Sequence, residues 1–355
     1  SGRSLSDYIT DLLTVVTGNW DEHSDTQQEY TLLGQFMPIN REATSKLDTY
    51  FSGPASTRIV VNREVNTLDD ENIIGVQSSL GNDFIVFDAR NLLNAVPDQI
   101  SPAAASWLAD RHHGIGCDQI LVIRPSQEAD IRMDILNQDG SPSGACGNGT
   151  RCVADLVMAE TGTDRISIVT DGGMLAAWRT ADDQISVDMG PIFTRWQDVP
   201  LAESMDTLHV PLGVSGLPDA VCHGLGNPHA VVFVEDAEAL DLARLGPQVE
   251  YASLFPDRVN LSVLSRRDDG SFRMRVWERG VGITMACGSG ACASGVAIAR
   301  RGLGGDLNKI VMDGGAVTIA WQQDNGHVVM TGPVAYVASG HLSPEISALL
   351  EADDG

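Results

Sequence analysis

The chain is poor in positive charge. Two lysines, Lys46 and Lys309, are the only ones in 355 residues, and 48 acidic side chains leave a formal net charge of -25. Nucleic acid needs a basic face to neutralise phosphates, so no nucleic-acid partner is expected. An anionic membrane surface is disfavoured for the same reason. No run of about 18 apolar residues occurs, which removes a membrane-spanning helix. The first residues lack a basic flank, and Asp7 and Asp11 interrupt their apolar stretch, so no signal peptide is expected. An acidic, soluble cytoplasmic protein fits these absences. Cysteine is sparse too. Six in the whole chain cannot staple a small disulfide scaffold. Cys146 and Cys152 stand six apart, and Cys287 and Cys292 five apart, so neither pair has zinc-ligand spacing. His112-His113 has no matching partner. No metal is expected.

What is present is a repeat. "ACGNGTRC" at 145–152 returns as "ACGSGACA" at 286–293, an offset of 141. Other landmarks follow in the same order. "RMDILNQDG" (132–140) meets "RMRVWERGV" (273–281), and "IVTDGG" (168–173) meets "IVMDGG" (310–315). "MGP" (189–191) meets "TGP" (331–333), and "GND" (81–83) meets "GNP" (226–228). A period this long is a duplicated domain rather than a solenoid. The expected domains are 72–192, completed by part of the C-terminal segment, and 208–340.

Within each half, short β-rich runs bounded by turn residues surround one helical stretch. "TRCVADLVMAETG" closes on Gly162 and "ACASGVAIARRG" on Gly302, the glycine punctuation of a helix end. Asn325-Gly326 reads as a hairpin turn. The expected fold is α+β: two pseudo-symmetric domains, each a β-rich sheet wrapped around a central helix, with the active site in the cleft between them. Residues 1–71 read as an N-terminal extension of unknown role, with an amphipathic helix from Leu5 to Val16 and a strand at "RIVVNREV".

Each central helix begins at a cysteine. Free N–H groups and the positive end of the macrodipole lie there. They favour a thiolate and lower the thiol's pKa. They also cradle a carboxylate, through Gly147 and Asn148 in one half and Gly288 and Ser289 in the other. One such cysteine is a weak signal. Two in aligned halves place a thiol on each face of one carbon, which is what inversion of a stereocentre needs. Cys146 as thiolate removes an α-proton, Cys287 as thiol returns one to the opposite face, and the roles exchange in reverse. Donors aimed at the α-carboxylate stabilise the carbanion, and no cofactor is required. A redox pair or disulfide is the competing use of two facing thiols, though no Cys-x-x-Cys is present. Cys117, Cys152, Cys222 and Cys292 lack the glycine frame and read as structural.

These residues, with "LGNDFIVFD" (80–88), "DRHHGIGCDQI" (110–120), "LNQDGSPSGACGNGTRC" (136–152), "GNPHAV" (226–231), "RVNLSVL" (258–264) and "ERGVGITMACGSGACA" (278–293), resemble the diaminopimelate epimerase family over about 73–345. The resemblance implies interconversion of LL- and meso-2,6-diaminopimelate, in lysine and peptidoglycan-precursor synthesis, without a cofactor. It implies Cys146 and Cys287 as catalytic bases, with His229 and Glu278 assisting them. It implies substrate contacts from Asn82, Gln119, Asn137, Asn227, Asn260, Glu278 and Arg279, with Gly147, Asn148, Gly288 and Ser289 holding the carboxylate. The partner is a small molecule, diaminopimelate, and a homodimer is the expected assembly. Arg279 suits the distal carboxylate, and Asn137, Asn227 and Asn260 suit its stereochemistry. One departure stands out. Ile283 occupies the place of the family's second glutamate, where an apolar side chain is expected to disturb the second thiol or loosen its loop. An epimerase of another amino acid and a non-catalytic amino-acid-binding protein are the alternatives on the same scaffold.

Overall fold

The computed structural model describes residues 73–90, 99–342 and 350. The helix and strand expected within 1–71 lie outside the described residues. All described residues belong to one unit, Arg58–Gly355. Among them, no helix is long and apolar enough to cross a membrane.

Strand pairing repeats along the chain. The first half supplies β1 (Ile73–Ser79), β2 (Asn82–Asp88), β3 (Gln119–Arg124), β4 (Ile131–Asn137), β5 (Arg165–Thr170), β6 (Gly173–Arg179) and β7 (Ile185–Pro191). The second supplies β8 (Val221–Gly224), β9 (Pro228–Phe233), β10 (Asn260–Arg266), β11 (Phe272–Glu278), a short β12 (Gly282–Thr284), β13 (Leu307–Met312), β14 (Gly315–Trp321) and β15 (His327–Gly332). With β12 set aside, each successive pairing has the same sense in both halves. The order is antiparallel, parallel, antiparallel, parallel, antiparallel, antiparallel. β7 and β15 join the halves antiparallel, and β16 (Ala335–His341) returns to pair with β1.

Among the described residues, two helices stand in matching places in each half. α1 (Pro102–Ala109) lies between β2 and β3, and α2 (Gly147–Thr161) between β4 and β5. Their counterparts are α3 (Leu242–Glu250) and α4 (Gly288–Arg300). α2 and α4 begin where the Cys motifs predict, and Gly162 (φ 70°) and Gly302 (φ 64°) take the left-handed conformation at their ends. The hairpin expected at Asn325-Gly326 is present, with Gly326 at φ 77° between β14 and β15. α1 and α3 were not expected.

The two helices explain why the strands read as unbroken apolar runs. Phe84, Val86, Leu121 and Ile123 pack with α2, while Ile85, Phe87, Ile120 and Val122 pack with α1. Both faces of β2 and β3 are therefore buried. In the second half α4 contributes Ala291, Cys292, Ala293, Val296, Ala297 and Ile298 to a core with Leu264, Met274, Ile310 and Ile319. Small residues are needed on that helix, since a Cβ at Gly295 would lie 2.5 Å from Ile319 Cγ2. Leu80, in the β1–β2 turn, packs into this second core and ties the halves together.

The repeated "DGG" landmark has a physical role. Gly172 N–H donates to Gly144 O (2.8 Å), and Gly314 N–H donates to Met285 O (2.9 Å). Each turn thereby straps the loop leading into one cysteine. Asp171 and Asp313 beside these glycines pair with Arg132 and Arg273, so the ion pair is duplicated as well. A Cβ at Gly314 would fall 1.8 Å from Leu80 O, so only glycine fits.

Candidate active site

Cys146 and Cys287 are the N-cap residues of α2 and α4. Cys146 Sγ accepts from Gly149 N (3.3 Å) and Cys287 Sγ from Gly290 N (3.4 Å). Gly147 and Asn148, like Gly288 and Ser289, form the first helical residues. The two termini adjoin. A Cβ at Gly288 would lie 3.2 Å from Met330 Cε and 3.7 Å from Asn148 Oδ1, while one at Gly147 would lie 2.5 Å from the same Met330 Cε. Met330 on β15 thus floors both glycines, and Met189 on β7 joins it under Gly147.

The thiols depart from expectation in one respect. Burial pushes Cys146 up to about 11, against the Gly149 N–H and the Arg151 charge, which pull it down. Cys287, 5 % exposed, is pushed well above the ordinary thiol range by burial and then by the Glu278 carboxyl. The predicted lowering at a helix N-terminus is corrected: losing water outweighs the helix-end contacts.

Glu278 ends β11 and meets the Cys287 thiol; Thr284 Oγ1 also donates to it. Burial raises its pKa, and both contacts oppose that rise. Ser289 Oγ lies 3.6 Å from Cys287 Sγ. Asn227 Nδ2 reaches Ser289 Oγ at 3.4 Å, and Asn227 Oδ1 accepts from His229 Nε2 at 2.8 Å. His229 is fully buried and its pKa falls to about 3, through burial and then the Arg279 charge. It is therefore neutral near pH 7. It reaches the second thiol's surroundings through Asn227 and Ser289 rather than by its own bond to sulfur.

The remaining predicted residues gather on the strand ends facing the helix termini. Gln119 Nε2 donates to Asn137 Oδ1 (3.0 Å) across β3 and β4. Asn82 Oδ1 accepts from Asn148 Nδ2 (2.7 Å), which joins β2 to the tip of α2. Asn260 donates to Pro228 O (3.0 Å) and accepts from Arg279 N (2.9 Å). Arg279 Nη1 donates to Asp257 O (2.8 Å). A cavity of about 320 Å³ is lined by Arg279, Asn227, Gly226, Pro228, Asp257 and Asp198, with Phe193 and Pro200. The cysteines are not among its lining residues, so it opens on the Arg279 end of the cluster. Ile283 is 46 % exposed, and Thr284 beside it keeps its bond to Glu278. The substitution therefore leaves the carboxyl at Cys287 held.

Sequence reasoning missed Arg151, Thr284 and the two methionines. Met189 opens the "MGP" landmark and Met330 stands one residue ahead of "TGP", so the landmark marked the stretch but did not align the two methionines. Arg151 left a trace in the repeat, standing where the second half has Cys292.

The diaminopimelate epimerase family profile matches residues 75–194 and 221–337. A diaminopimelate epimerase of Rhodospirillum centenum is 54 % identical over 266 residues, covering 74 % of this chain and 90 % of that protein. One from Acidiphilium cryptum is 48 % identical over 268 residues, covering 76 % and 95 %. Among solved structures, a probable proline racemase from Agrobacterium radiobacter superposes with a TM-score of 0.55 at 15 % identity, covering 78 % of this chain and 95 % of that one. A hydroxyproline epimerase from Agrobacterium vitis gives 0.54 at 14 %, covering 79 % and 98 %. These two show the fold alone.

Proposed function

The chain belongs to the diaminopimelate epimerase family, and we propose that Cys146 and Cys287 are the two bases with which it carries out that family's reaction. It is an isomerase of a small-molecule substrate, LL-2,6-diaminopimelate, which it converts to the meso form in lysine biosynthesis. One observation carries the reading: two cysteines cap two helices whose N-termini adjoin across the junction of the halves. The free N–H groups of Gly147, Asn148, Gly288 and Ser289 receive the α-carboxylate and take up the charge that develops as Cα loses its proton. In one direction the Cys146 thiolate removes the α-proton, and the Cys287 thiol delivers its own to the opposite face. Cys146 ends protonated and Cys287 ionised, and the reverse reaction begins from that state. Glu278 holds the Cys287 sulfur in place. Arg279, at the cavity, takes the distal carboxylate, and the amides of Asn137, Asn227 and Asn260 read its stereochemistry.

The test is conversion of LL-diaminopimelate followed by chromatography that resolves the stereoisomers, with Cys146→Ala and Cys287→Ala alongside. Wild-type protein forms the meso isomer and both variants stop. Wild-type inversion of an amino acid lacking a second carboxylate, with diaminopimelate untouched, would replace the substrate; activity in either variant would overturn the pair of bases.

A further inference from the structure

The first turns of α2 carry a cation that the proposed reaction has not used. Arg151 is 0 % exposed. Its Nη2 donates to Ser79 Oγ (2.7 Å) and to Asn148 Oδ1 (2.6 Å). Its Nε and Nη1 are buried and have no hydrogen-bond partner among the described residues. No described carboxylate forms an ion pair with it; the titratable groups facing it are the thiols of Cys146, Cys152 and Cys292. A buried charge without a counter-ion is costly to keep. Here it sits beside a helix N-terminus that is already positive. The excess has a counterpart only when an anion enters.

Arg151 also starts a directional relay. Asn148 accepts through Oδ1, so its Nδ2 donates to Asn82 Oδ1 (2.7 Å), and Asn82 Nδ2 donates to Asp118 Oδ2 (2.9 Å). A guanidinium can only donate, and an ionised carboxylate only accepts. The two amides between them are therefore held in one orientation each. Asp118 is fixed at its far end by Arg111 (2.9 Å). Each amide keeps one N–H and one lone pair for a ligand. The relay has no mirror image in the second half, where Ser289 and Cys292 stand in place of Asn148 and Arg151.

We propose that Arg151 is a positioning residue and the resident counter-charge of the first half-site. It orients Asn148 and Asn82, and it balances the negative charge that arises at Cys146 as thiolate or arrives at the α2 terminus as a carboxylate. The inference rests on the two-thiol reading. The charges facing Cys146 are Arg151 and, from β11, Glu278; its other polar contacts are the N–H groups of Gly149 and Asn148. Of these only Arg151 is a cation.

The test reads thiol chemistry rather than turnover, so it separates this inference from the assignment of the reaction. Iodoacetamide alkylation of Cys146 and Cys287 is followed peptide by peptide from about pH 7 to about pH 11 in the wild type, Arg151→Met and Arg151→Lys. In Arg151→Met, Cys146 alkylation at about pH 9 slows by roughly tenfold, one unit in thiol ionisation, while Cys287 changes less than about twofold. Arg151→Lys keeps the charge and restores Cys146 to within about threefold of wild type. Ser79→Asp neutralises the cation in place and supplies the reading should Arg151→Met not fold; it too slows Cys146. An unchanged Cys146 profile in the folded variants overturns the proposal. So does an equal change at both cysteines, which is the signature of a loosened structure.

Discussion

The two cysteine-capped helices share a motif, a cap geometry and a strap, yet their thiols live in different surroundings. Cys146 is half-buried, with the Arg151 cation beyond it and, among the described residues, no carboxyl bonded to its sulfur. Cys287 is 5 % exposed, with Glu278 on its sulfur and Ser289 nearby. The repeat has kept what the backbone needs, namely the glycines, the Asp-Gly turns and the N-caps. It has changed what sets charge: Asn137 against Glu278, Asn148 against Ser289, Arg151 against Cys292. A duplicated scaffold thus holds one cation-facing and one carboxyl-facing thiol, the inequality expected if one is to hold a proton while the other gives one up. It also makes Cys146 the easier thiol to ionise.

The sharpest way to break the comparison is to remove sulfur from one side at a time. Cys146→Ser and Cys287→Ser each replace a thiol with a far weaker acid. Each is expected to lower kcat by roughly a thousandfold or more, the scale of a lost general acid or base. A variant keeping a tenth of wild-type kcat would show that its face needs no thiol.

The glycine floor gives the next effect. Gly147→Ala drives a Cβ to 2.5 Å from Met330 Cε and 3.0 Å from Met189 Cε, while Gly288→Ala meets Met330 at 3.2 Å. Thermal melts should show Gly147→Ala losing about 1–3 kcal/mol and Gly288→Ala clearly less. Met330→Ala itself empties a buried site at a cost of about 2–5 kcal/mol, but in its background Gly147→Ala should cost less than it does in the wild type. Equal losses at the two glycines would mean that the termini are more alike than their floors indicate.

Stability against pH sets the buried thiols against the buried imidazole. Burial holds Cys117 and Cys292 at about 12 in the folded state, from an ordinary 9.0. Above about pH 9 the unfolded chain releases these protons and the folded chain keeps them. Stability then falls toward pH 12, by up to about 1.4 kcal/mol per pH unit for each thiol. His229, held at about 3 from 6.5, acts at the other end. The unfolded chain binds its proton first, so stability is lost as pH falls from 6.5 toward 3. Melting temperatures should be highest between about pH 7 and about pH 9. His229→Gln should shorten the acid limb, which buried His223 shares, and leave the alkaline one; an acid limb unchanged in that variant would contradict the burial of a neutral His229.

Ile283→Glu is the smallest change. The side chain is 46 % exposed and Glu278 is already held by Thr284, so kcat should move by less than about twofold and stability by less than about 0.5 kcal/mol. A gain of tenfold in kcat would show that the second half-site lacks a carboxyl it needs.

Much of this was legible in the chain itself. The repeat, the α+β character, the two cysteine-led helices and their glycine ends all follow from local rules, because turns and caps need particular residues wherever they occur. The apolar runs at 84–87 and 120–123 are covered on one face by α2 and on the other by α1, which, like α3, the sequence did not announce. Those helices escaped notice: α1 is eight residues with three consecutive alanines, and α3 carries Pro247 inside it. The direction of the thiol shift was misread because helix-end polarity is local, whereas burial is set by the entire fold. Arg151 escaped because a lone arginine in a helix ordinarily reaches water, and nothing nearby in sequence marks this one as enclosed.

The central claim is that each face of the α-carbon has its own thiol. The most direct measurement is isotope placement at low conversion in D2O, starting from fully protonated LL-diaminopimelate. Two unlike bases predict meso product carrying solvent deuterium at the inverted carbon, with recovered substrate still protonated. Product that retains its original hydrogen, or recovered substrate that gains deuterium as fast as product forms, would mean a single base serves both faces and would contradict the account.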